Sequence, residues 1–489
     1  MTSYDVRYPL TAATAALPLP DTRRELTTLT FVCAAVAYAF AFATGSMLFP
    51  LSAWLAALLY GYFFIRMLKI APSSAVLLLG HFGLNGVTQF ISGIVIEHGG
   101  YLSETEQFGS PTGGFMRLAA VYILFYGTAA IIIESFIHHW TKQGKIALFM
   151  SNEVTPPPLL VTKLVDAVII AALAYVTVVA AINGFPLLTG EDHYDFAKLV
   201  GGPAFVSVIN NREPIMAYIG FMIVYTKRPL FYVAMALYII ILSAFLGDKF
   251  SIYWAMIPLL VLPSLLKTAW RAAGLPIREI VILGAILSVI TLPLVFFIYG
   301  GLDDAQAGLT RMADRITLQG QLWFLADREV DDLWRFESAA LANDWRLIMT
   351  DEYDPTSYAP FKLPYPLQGM SYLILHFSRF AKAYETIRHG TVYCLGLHAY
   401  LLEILGWLGM LAANFLLAGL LGSFLSGIAY GIIEGRLVYL LVFAKLTLFF
   451  GSMVSMADFY QFLNPRSFGL FLFLIAYHTL TEVPQSRSR

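Results

Sequence analysis

Apolar runs of about twenty residues recur along almost the whole chain, and they constrain its fold more than any other feature. Each run is long enough to cross the hydrocarbon core of a bilayer as an α-helix. Only 13% of the residues are charged, against about 25% in ordinary soluble proteins, and the mean hydropathy is +0.70. We therefore expect an all-α, polytopic membrane protein.

Twelve segments are predicted to span the membrane. They are residues 28–46, 51–68, 73–96, 117–138, 159–183, 214–226, 229–246, 251–267, 279–299, 398–430, 437–459 and 467–482. The corresponding domains are an N-terminal tail (1–27), spans one to nine (28–299), a large loop (300–397), spans ten to twelve (398–482) and a C-terminal tail (483–489).

The short connections determine the expected orientation. Arg66 and Lys69 follow span two, Lys142 and Lys145 follow span four, and Arg436 lies between spans ten and eleven. All of them fall on one side of a twelve-span arrangement. Since positive residues in short loops stay in the cytoplasm, both termini are expected to be cytoplasmic and the large loop is expected on the outer side.

Charge and cysteine content exclude several classes of protein. The net charge of −1 provides no field for nucleic acid. Cys33 and Cys394 are the two cysteines, too few for a disulfide framework or a metal cluster. The polar stretch 1–25 lacks the features of a cleavable signal, so the first apolar run is expected to stay as a span.

The outer loop 300–397 is long enough to carry a function of its own. It holds two lysines, thirteen acidic residues and seven arginines, the last being Arg311, Arg315, Arg328, Arg335, Arg346, Arg379 and Arg388. Two short amphipathic helices are predicted in it, "ADREVDDLWRFESAALANDW" and "SYLILHFSRFAKAY". One interpretation is a solvated cap in which arginines pair with acids. The other is a phosphate or glycan site, because guanidinium groups bind phosphate through two donors and aromatic rings suit sugars.

The stretch "GLHAYLLEILGWLGMLA" places His398 at the outer end of span ten and Glu403 inside that span. A histidine suits proton transfer near neutral pH, although one at a membrane interface can also be purely structural. Glu403 is expected to pair with another span, because a lone charge within a membrane is costly. Four glycines of this span are expected to allow close helix packing: Gly406, Gly409, Gly419 and Gly422.

"HAYLLEILGWLGML" resembles the histidine-led motif of the O-antigen ligase and polymerase superfamily, with Ala399 where asparagine is usual. "INGFPLLTGEDHYDFAKLVGGPAFVSVINNREPIMAYIGF" is similar to an external loop of the Wzy-type repeat-unit polymerases, and Arg212 takes the place of its basic residue. "YIIILSAFLGDKFSIYWAMIPLLVL" resembles a later pair of spans, with Lys249 in the usual place of arginine. The resemblance covers residues 180–430 by the order of its motifs.

This resemblance implies a metal-independent, cofactor-free, GT-C-like glycosyltransferase in the bacterial inner membrane. It would polymerise undecaprenyl-pyrophosphate-linked repeat units into O-antigen, capsule or exopolysaccharide at the periplasmic face. The implied partners are lipid-linked glycans, the bilayer and, as a further candidate, a chain-length regulator. The implied roles are His398 as the catalytic base and a pyrophosphate-binding set made of Arg212, Lys249, Arg311, Arg315, Arg328 and Arg335. His376 and His389 are competing bases in the same loop.

Two alternatives stay open. An O-antigen ligase shares the histidine-led helix but transfers finished chains to lipid A core. A transporter or flippase of lipid-linked sugars would also have many spans, although such proteins often contain internal repeats and broken helices, and no repeat is visible in this sequence.

Overall fold

The computed structural model describes residues 22–43, 49–103, 105–151, 157–189, 202–248, 250–271, 305–350, 369–388 and 395–486, with isolated positions around 196–200 and 281–289. Within these ranges the chain is almost wholly helical, which confirms the all-α prediction. The small exception is an antiparallel pair of two-residue strands, β1 (Tyr101–Leu102) and β2 (Gln107–Phe108).

Twelve described helices precede the large loop. They are α1 (Thr22–Ala43), α2 (Phe49–Ile70), α3 (Pro72–His81), α4 (Thr88–Glu97), α5 (Gly114–Lys142), α6 (Lys145–Met150), α7 (Leu159–Asn183), α8 (Pro186–Thr189), α9 (Gly202–Ile209), α10 (Arg212–Tyr225), α11 (Pro229–Phe245) and α12 (Phe250–Arg271). A π-helical turn, Phe82–Val87, joins α3 to α4.

Seven further helices follow in the described ranges. They are α13 (Ala305–Glu329), α14 (Ser338–Thr350), α15 (Gly369–Phe377), α16 (Phe380–Arg388), α17 (Leu397–Ile433), α18 (Leu437–Met456) and α19 (Pro465–Ser486). A short 3₁₀ turn, Phe459–Gln461, separates α18 from α19.

Seven of the described helices are long and apolar enough to cross a membrane, and the bent pair α3–α4 makes eight if it counts as one span. A polytopic membrane protein is therefore the class that the structure supports. The predicted sixth and seventh spans are α10 and α11, with 14 and 17 residues, which is short for a bilayer. The predicted ninth span, 279–299, lies mostly outside the described residues. The twelve-span count stays a prediction.

Helix α5 lies at the centre of the bundle and packs against α1, α2 and α17. Its two closest neighbours approach at glycines. A Cβ on Gly127 would lie 2.3 Å from the Thr30 side chain of α1, and a Cβ on Gly422 of α17 would lie 2.8 Å from the Ala129 carbonyl oxygen. The predicted role of Gly422 in close helix packing is confirmed.

The first helix of the large loop is built into the bundle, unlike a solvated cap. The backbone N–H of Gly320 donates to Ser92 Oγ of α4 at 2.8 Å, and Trp323 Nε1 donates to the Gly114 carbonyl at 2.9 Å. Arg117 Nε donates to Asp327 Oδ1 at 2.6 Å. One face of α13 thus extends the core beside α4 and α5.

Both amphipathic helices predicted in the loop are interrupted. In place of one helix over 326–345, α13 ends at Glu329, residues 330–337 are non-helical and α14 begins at Ser338. The second stretch forms α15 and α16, which are separated at residues 378–379. The expectation of two continuous helices is wrong, and for the first of them the cause is a set of backbone hydrogen bonds made by residues 332–337.

Candidate functional site

Helix α17 is broken at Gly406, whose φ is 70° and ψ is −176°. A residue with a Cβ is strongly strained in this conformation. On either side of the break, His398 Nε2 and Asn414 Oδ1 lie 3.0 Å apart, whereas sixteen residues of continuous helix would separate them by about 24 Å. The segment 397–405 therefore folds back beside the residues that follow the break. Gly406 makes this bend, so the prediction that it serves close helix packing is wrong.

A segment of the large loop satisfies the backbone groups that the break exposes. Four backbone hydrogen bonds of 2.9–3.1 Å join the two: Arg335 N to Leu405 O, Glu337 N to Ile404 O, Trp407 N to Asp332 O, and Leu408 N to Leu333 O. Unpaired buried backbone groups are costly, so the broken helix and the segment 332–337 depend on each other.

Glu403 lies three residues before the break and is fully buried. Its Oε1 is 3.0 Å from Nη1 of Arg335 and 3.5 Å from Nε2 of His376. The expectation that Glu403 pairs with another span is wrong, because both partners come from the large loop. A buried carboxylate is tolerated when cations compensate it, and here two nitrogen-bearing side chains converge on one oxygen.

The rim of this site carries further charge. Glu337 Oε1 lies 3.1 Å from Arg335 Nε, and Glu329 Oε2 lies 3.8 Å from His376 Nε2. The His376 ring stacks on Tyr372, with 6.1 Å between the centroids. The side chains of His376 and Arg335 are 36% and 26% exposed. Glu403 is thus buried beneath two partly exposed, nitrogen-bearing side chains.

His398 lies away from this rim, inside the bundle. It is 4% exposed, and its ring meets the edges of Tyr122 and Phe125 of α5. Its partner Asn414 donates in turn to the Val121 carbonyl at 3.2 Å. None of the contacts of His398 within the described part of the chain involves an arginine.

Arg212 is the N-terminal residue of α10. Its guanidinium is buried, and its hydrogen bonds are made to protein groups. It forms an ion pair with Asp248, donates from Nη1 to Ser243 Oγ at 2.8 Å, and donates from Nε to the Ile209 carbonyl at 2.9 Å. A phosphate would have to displace Asp248. Lys249 lies outside the described residues.

The remaining predicted arginines lie on or just after α13. Arg328 is more than one-third exposed, donates to Gln107 Oε1 at 3.0 Å and lies over the Phe324 ring. Arg311 and Arg315 lie on the helix, but their side chains are outside the described residues. Of the predicted pyrophosphate ligands, Arg335 is the one that the described contacts place beside a second candidate functional group.

A second polar cluster lies nearby and was not anticipated. Tyr400 Oη donates to Asp344 Oδ2 at 2.7 Å, while Asp344 Oδ1 is buried without a hydrogen bond among the described residues. Burial, opposed by the Tyr400 hydrogen bond and reinforced by Asp458, raises the pKa of Asp344 to about 7. Burial also raises the pKa of Asp458 to about 6. Asp344 thus joins α14 to the start of α17, and Asp458, just after α18, lies close enough to raise the pKa of Asp344.

Residues 366–472 match the model of one family of unknown function, DUF6418. The matched stretch runs from just before α15 to within α19, and it contains His376, His398 and Glu403 together with the break at Gly406. No curated protein and no solved structure matches the chain.

Proposed function

We propose that the chain is a glycosyltransferase that acts on lipid-linked oligosaccharides, with its reactive centre at the break of α17. The observation that carries the proposal is the convergence of Arg335 and His376 on the buried Glu403. This combination supplies a base and a cation beside one buried carboxylate, as transfer from a pyrophosphate carrier requires.

His376 is the base in this proposal. Its Nε2 faces Glu403, and Nδ1 has no hydrogen bond within the described chain. Nδ1 takes the proton of the acceptor hydroxyl, and the oxygen forms a bond to the anomeric carbon. The bond from that carbon to the pyrophosphate oxygen breaks, and its electron pair leaves with the pyrophosphate. The carboxylate of Glu403 stabilises the imidazolium that results.

Arg335 is the residue that meets the leaving group. Its described contacts use Nε and Nη1, and Nη2 is available for a phosphate oxygen. A fixed guanidinium stabilises charge that develops on the departing pyrophosphate. His398 has a positioning role in this scheme, because it is enclosed by aromatic rings and Asn414.

The wider proposal follows the motif resemblance. It comprises polymerisation of undecaprenyl-pyrophosphate-linked repeat units, a twelve-span GT-C-like architecture, the bacterial inner membrane and cytoplasmic termini. An O-antigen ligase would use the same chemistry with a different acceptor. Single repeat units on the surface lipopolysaccharide of a deletion strain would support a polymerase, and uncapped lipid A core would support a ligase.

A lipid-linked sugar transporter is a second candidate, and one observation favours it. Two apolar helices are interrupted: α17 at Gly406, and the pair α3–α4, which bends by 58°. Gln89 Nε2 of α4 donates to the Leu395 carbonyl just before α17 at 2.9 Å. Discontinuous helices frequently form the binding sites of transporters.

Reconstitution separates these functions. Purified protein in liposomes receives a defined undecaprenyl-pyrophosphate-linked oligosaccharide, and products are analysed by mass spectrometry. We expect longer lipid-linked glycans and released undecaprenyl pyrophosphate from the wild type, and neither from His376→Ala or Arg335→Ala. Arg379→Ala is the matched control, because that arginine is 82% exposed and pairs with Glu106. Movement of the lipid without new glycosidic bonds would replace this proposal with transport.

A further inference from the structure

Three apolar side chains of the loop segment beside the break point outward. Leu333, Trp334 and Phe336 are 65%, 69% and 72% exposed. Arg335 lies between them in sequence but turns inward to Glu403. On one side of the segment, Arg335 contacts Glu403. On the other side, the three apolar side chains are left uncovered by the described chain. We call the three side chains the outer apolar edge.

The backbone of this edge is held in place. The Leu333 carbonyl accepts from Leu408 N at 2.9 Å, and Arg335 N donates to the Leu405 carbonyl at 3.1 Å. The side chains therefore cannot turn inward without breaking the hydrogen bonds that complete α17. These bonds fix the direction of the backbone, and with it the side of the segment from which the three side chains project.

The edge adjoins an exposed apolar stripe on α17. On the spanning part of α17, Leu408, Ala412 and Leu416 are exposed at four-residue intervals, so they share one helix face. This stripe begins at Leu408, the residue bonded to Leu333. Tryptophan and phenylalanine next to a spanning helix are typical of the boundary between headgroups and acyl chains.

We propose that the outer apolar edge is a membrane-interface anchor, inserted into the boundary between headgroups and acyl chains of the adjacent leaflet. Its occupant is phospholipid. We infer phospholipid because the edge adjoins the exposed apolar stripe of α17. Through the same segment, the anchor holds Arg335 at the depth of the lipid headgroups. The inference does not require the proposed glycosyl transfer.

Site-directed spin labelling tests this depth. Cys33→Ser and Cys394→Ser remove both native cysteines, and a nitroxide is attached to Phe336→Cys in nanodiscs of phosphatidylethanolamine and phosphatidylglycerol. Power saturation compares how often the nitroxide collides with two reagents. Oxygen is enriched in the lipid, and a nickel chelate stays in the water. Leu416→Cys is the lipid control and Ser338→Cys, an exposed residue at the start of α14, is the aqueous control.

We expect the oxygen-to-nickel accessibility ratio at 336 to lie close to that at 416 and well above that at 338. A ratio equal to that at 338 would overturn the anchor. The same holds if the label is aqueous and becomes immobile only when lipid-linked oligosaccharide is added, since the edge would then be a glycan platform.

Quenching by brominated phospholipids is a second measurement that needs no label. Trp334→Phe should lower the quenched fraction of tryptophan fluorescence, and an unchanged fraction would contradict insertion.

Discussion

Arg335 Nη1 lies 3.0 Å from Oε1 of Glu403, and this ion pair joins the large loop to the interior of an apolar helix. The carboxylate is fully buried while the guanidinium is about one-quarter exposed. The pair is thus asymmetric. Removal of the cation leaves a charge enclosed by protein, while removal of the anion leaves a cation that can reach water.

The asymmetry predicts unequal effects on stability. Arg335→Ala should lower the free energy of unfolding by about 2 kcal/mol, because Glu403 loses its nearest cation. In a Glu403→Gln background the same substitution should cost less than half as much. The wild type, Arg335→Ala, Glu403→Gln and the double variant form a double-mutant cycle. Their free energies of unfolding are measured by titration with sodium dodecyl sulfate in mixed micelles. Equal losses in the two backgrounds would show that the pair is not coupled.

The break at Gly406 provides a second prediction. Gly406→Ala should cost about 1–3 kcal/mol through its backbone conformation, and its Cβ would lie 2.9 Å from both Arg335 N and the Asp332 carbonyl oxygen. Gly419→Ala is the matched control in the same helix, since its Cβ would meet only Ile132 at 3.6 Å. That variant should be neutral or slightly stabilising. Thermal unfolding in detergent should therefore place the melting temperature of Gly406→Ala below that of the wild type and that of Gly419→Ala at or above it.

Asp344 predicts a pH dependence of stability. Its pKa is raised from 3.8 to about 7, mainly by burial, so the folded state binds the proton more tightly than the unfolded state. Stability is then greatest at low pH and falls as pH rises from about 4 to about 7. Asp344→Asn keeps an oxygen for Tyr400 but does not titrate. We expect the melting temperature to drop less between pH 5 and pH 8 in Asp344→Asn than in the wild type. A wild-type drop no larger than that of the variant would contradict this assignment.

His398 and Asn414 predict a shared structural effect. Because the two side chains are bonded inside the bundle, His398→Ala should lower stability by about 2 kcal/mol or more through a cavity and an unpaired amide. Asn414→Ala should have a similar effect, and the double variant should cost less than the sum of the two. Denaturant titration checks this. A His398→Ala protein with wild-type stability and no transfer activity would instead point to direct catalysis by His398.

The apolar periodicity was sufficient to predict a helical membrane protein and several of its spans. Helices α1, α2, α5, α7, α17 and α18 lie close to their predicted bounds because each is a long, nearly charge-free run. The interruptions were not predicted. Gly406 falls in a run whose hydrophobicity continues on both sides, and a helical glycine and a chain-reversing glycine look the same in one sequence.

The sequence singled out three residues of the candidate site separately, but it did not predict that they meet. Glu403, His376 and Arg335 each stood out as a charge in an apolar helix, a loop histidine and a loop arginine. Their proximity depends on the four hydrogen bonds between 332–337 and the broken helix, which no local pattern encodes. Asp344 and Asp458 gave no signal, since an acid in a polar loop looks solvated until its neighbours are known.

The hydrogen bond from Gln89 to the Leu395 carbonyl ties one interrupted helix to the entrance of the other. Movement of either interruption must break this hydrogen bond or carry its partner along. A tilt of α4 would displace the residues just before α17. It would therefore also displace the segment 397–405, which bears Glu403. A substrate that straightens one of these elements while this hydrogen bond holds would also displace the other.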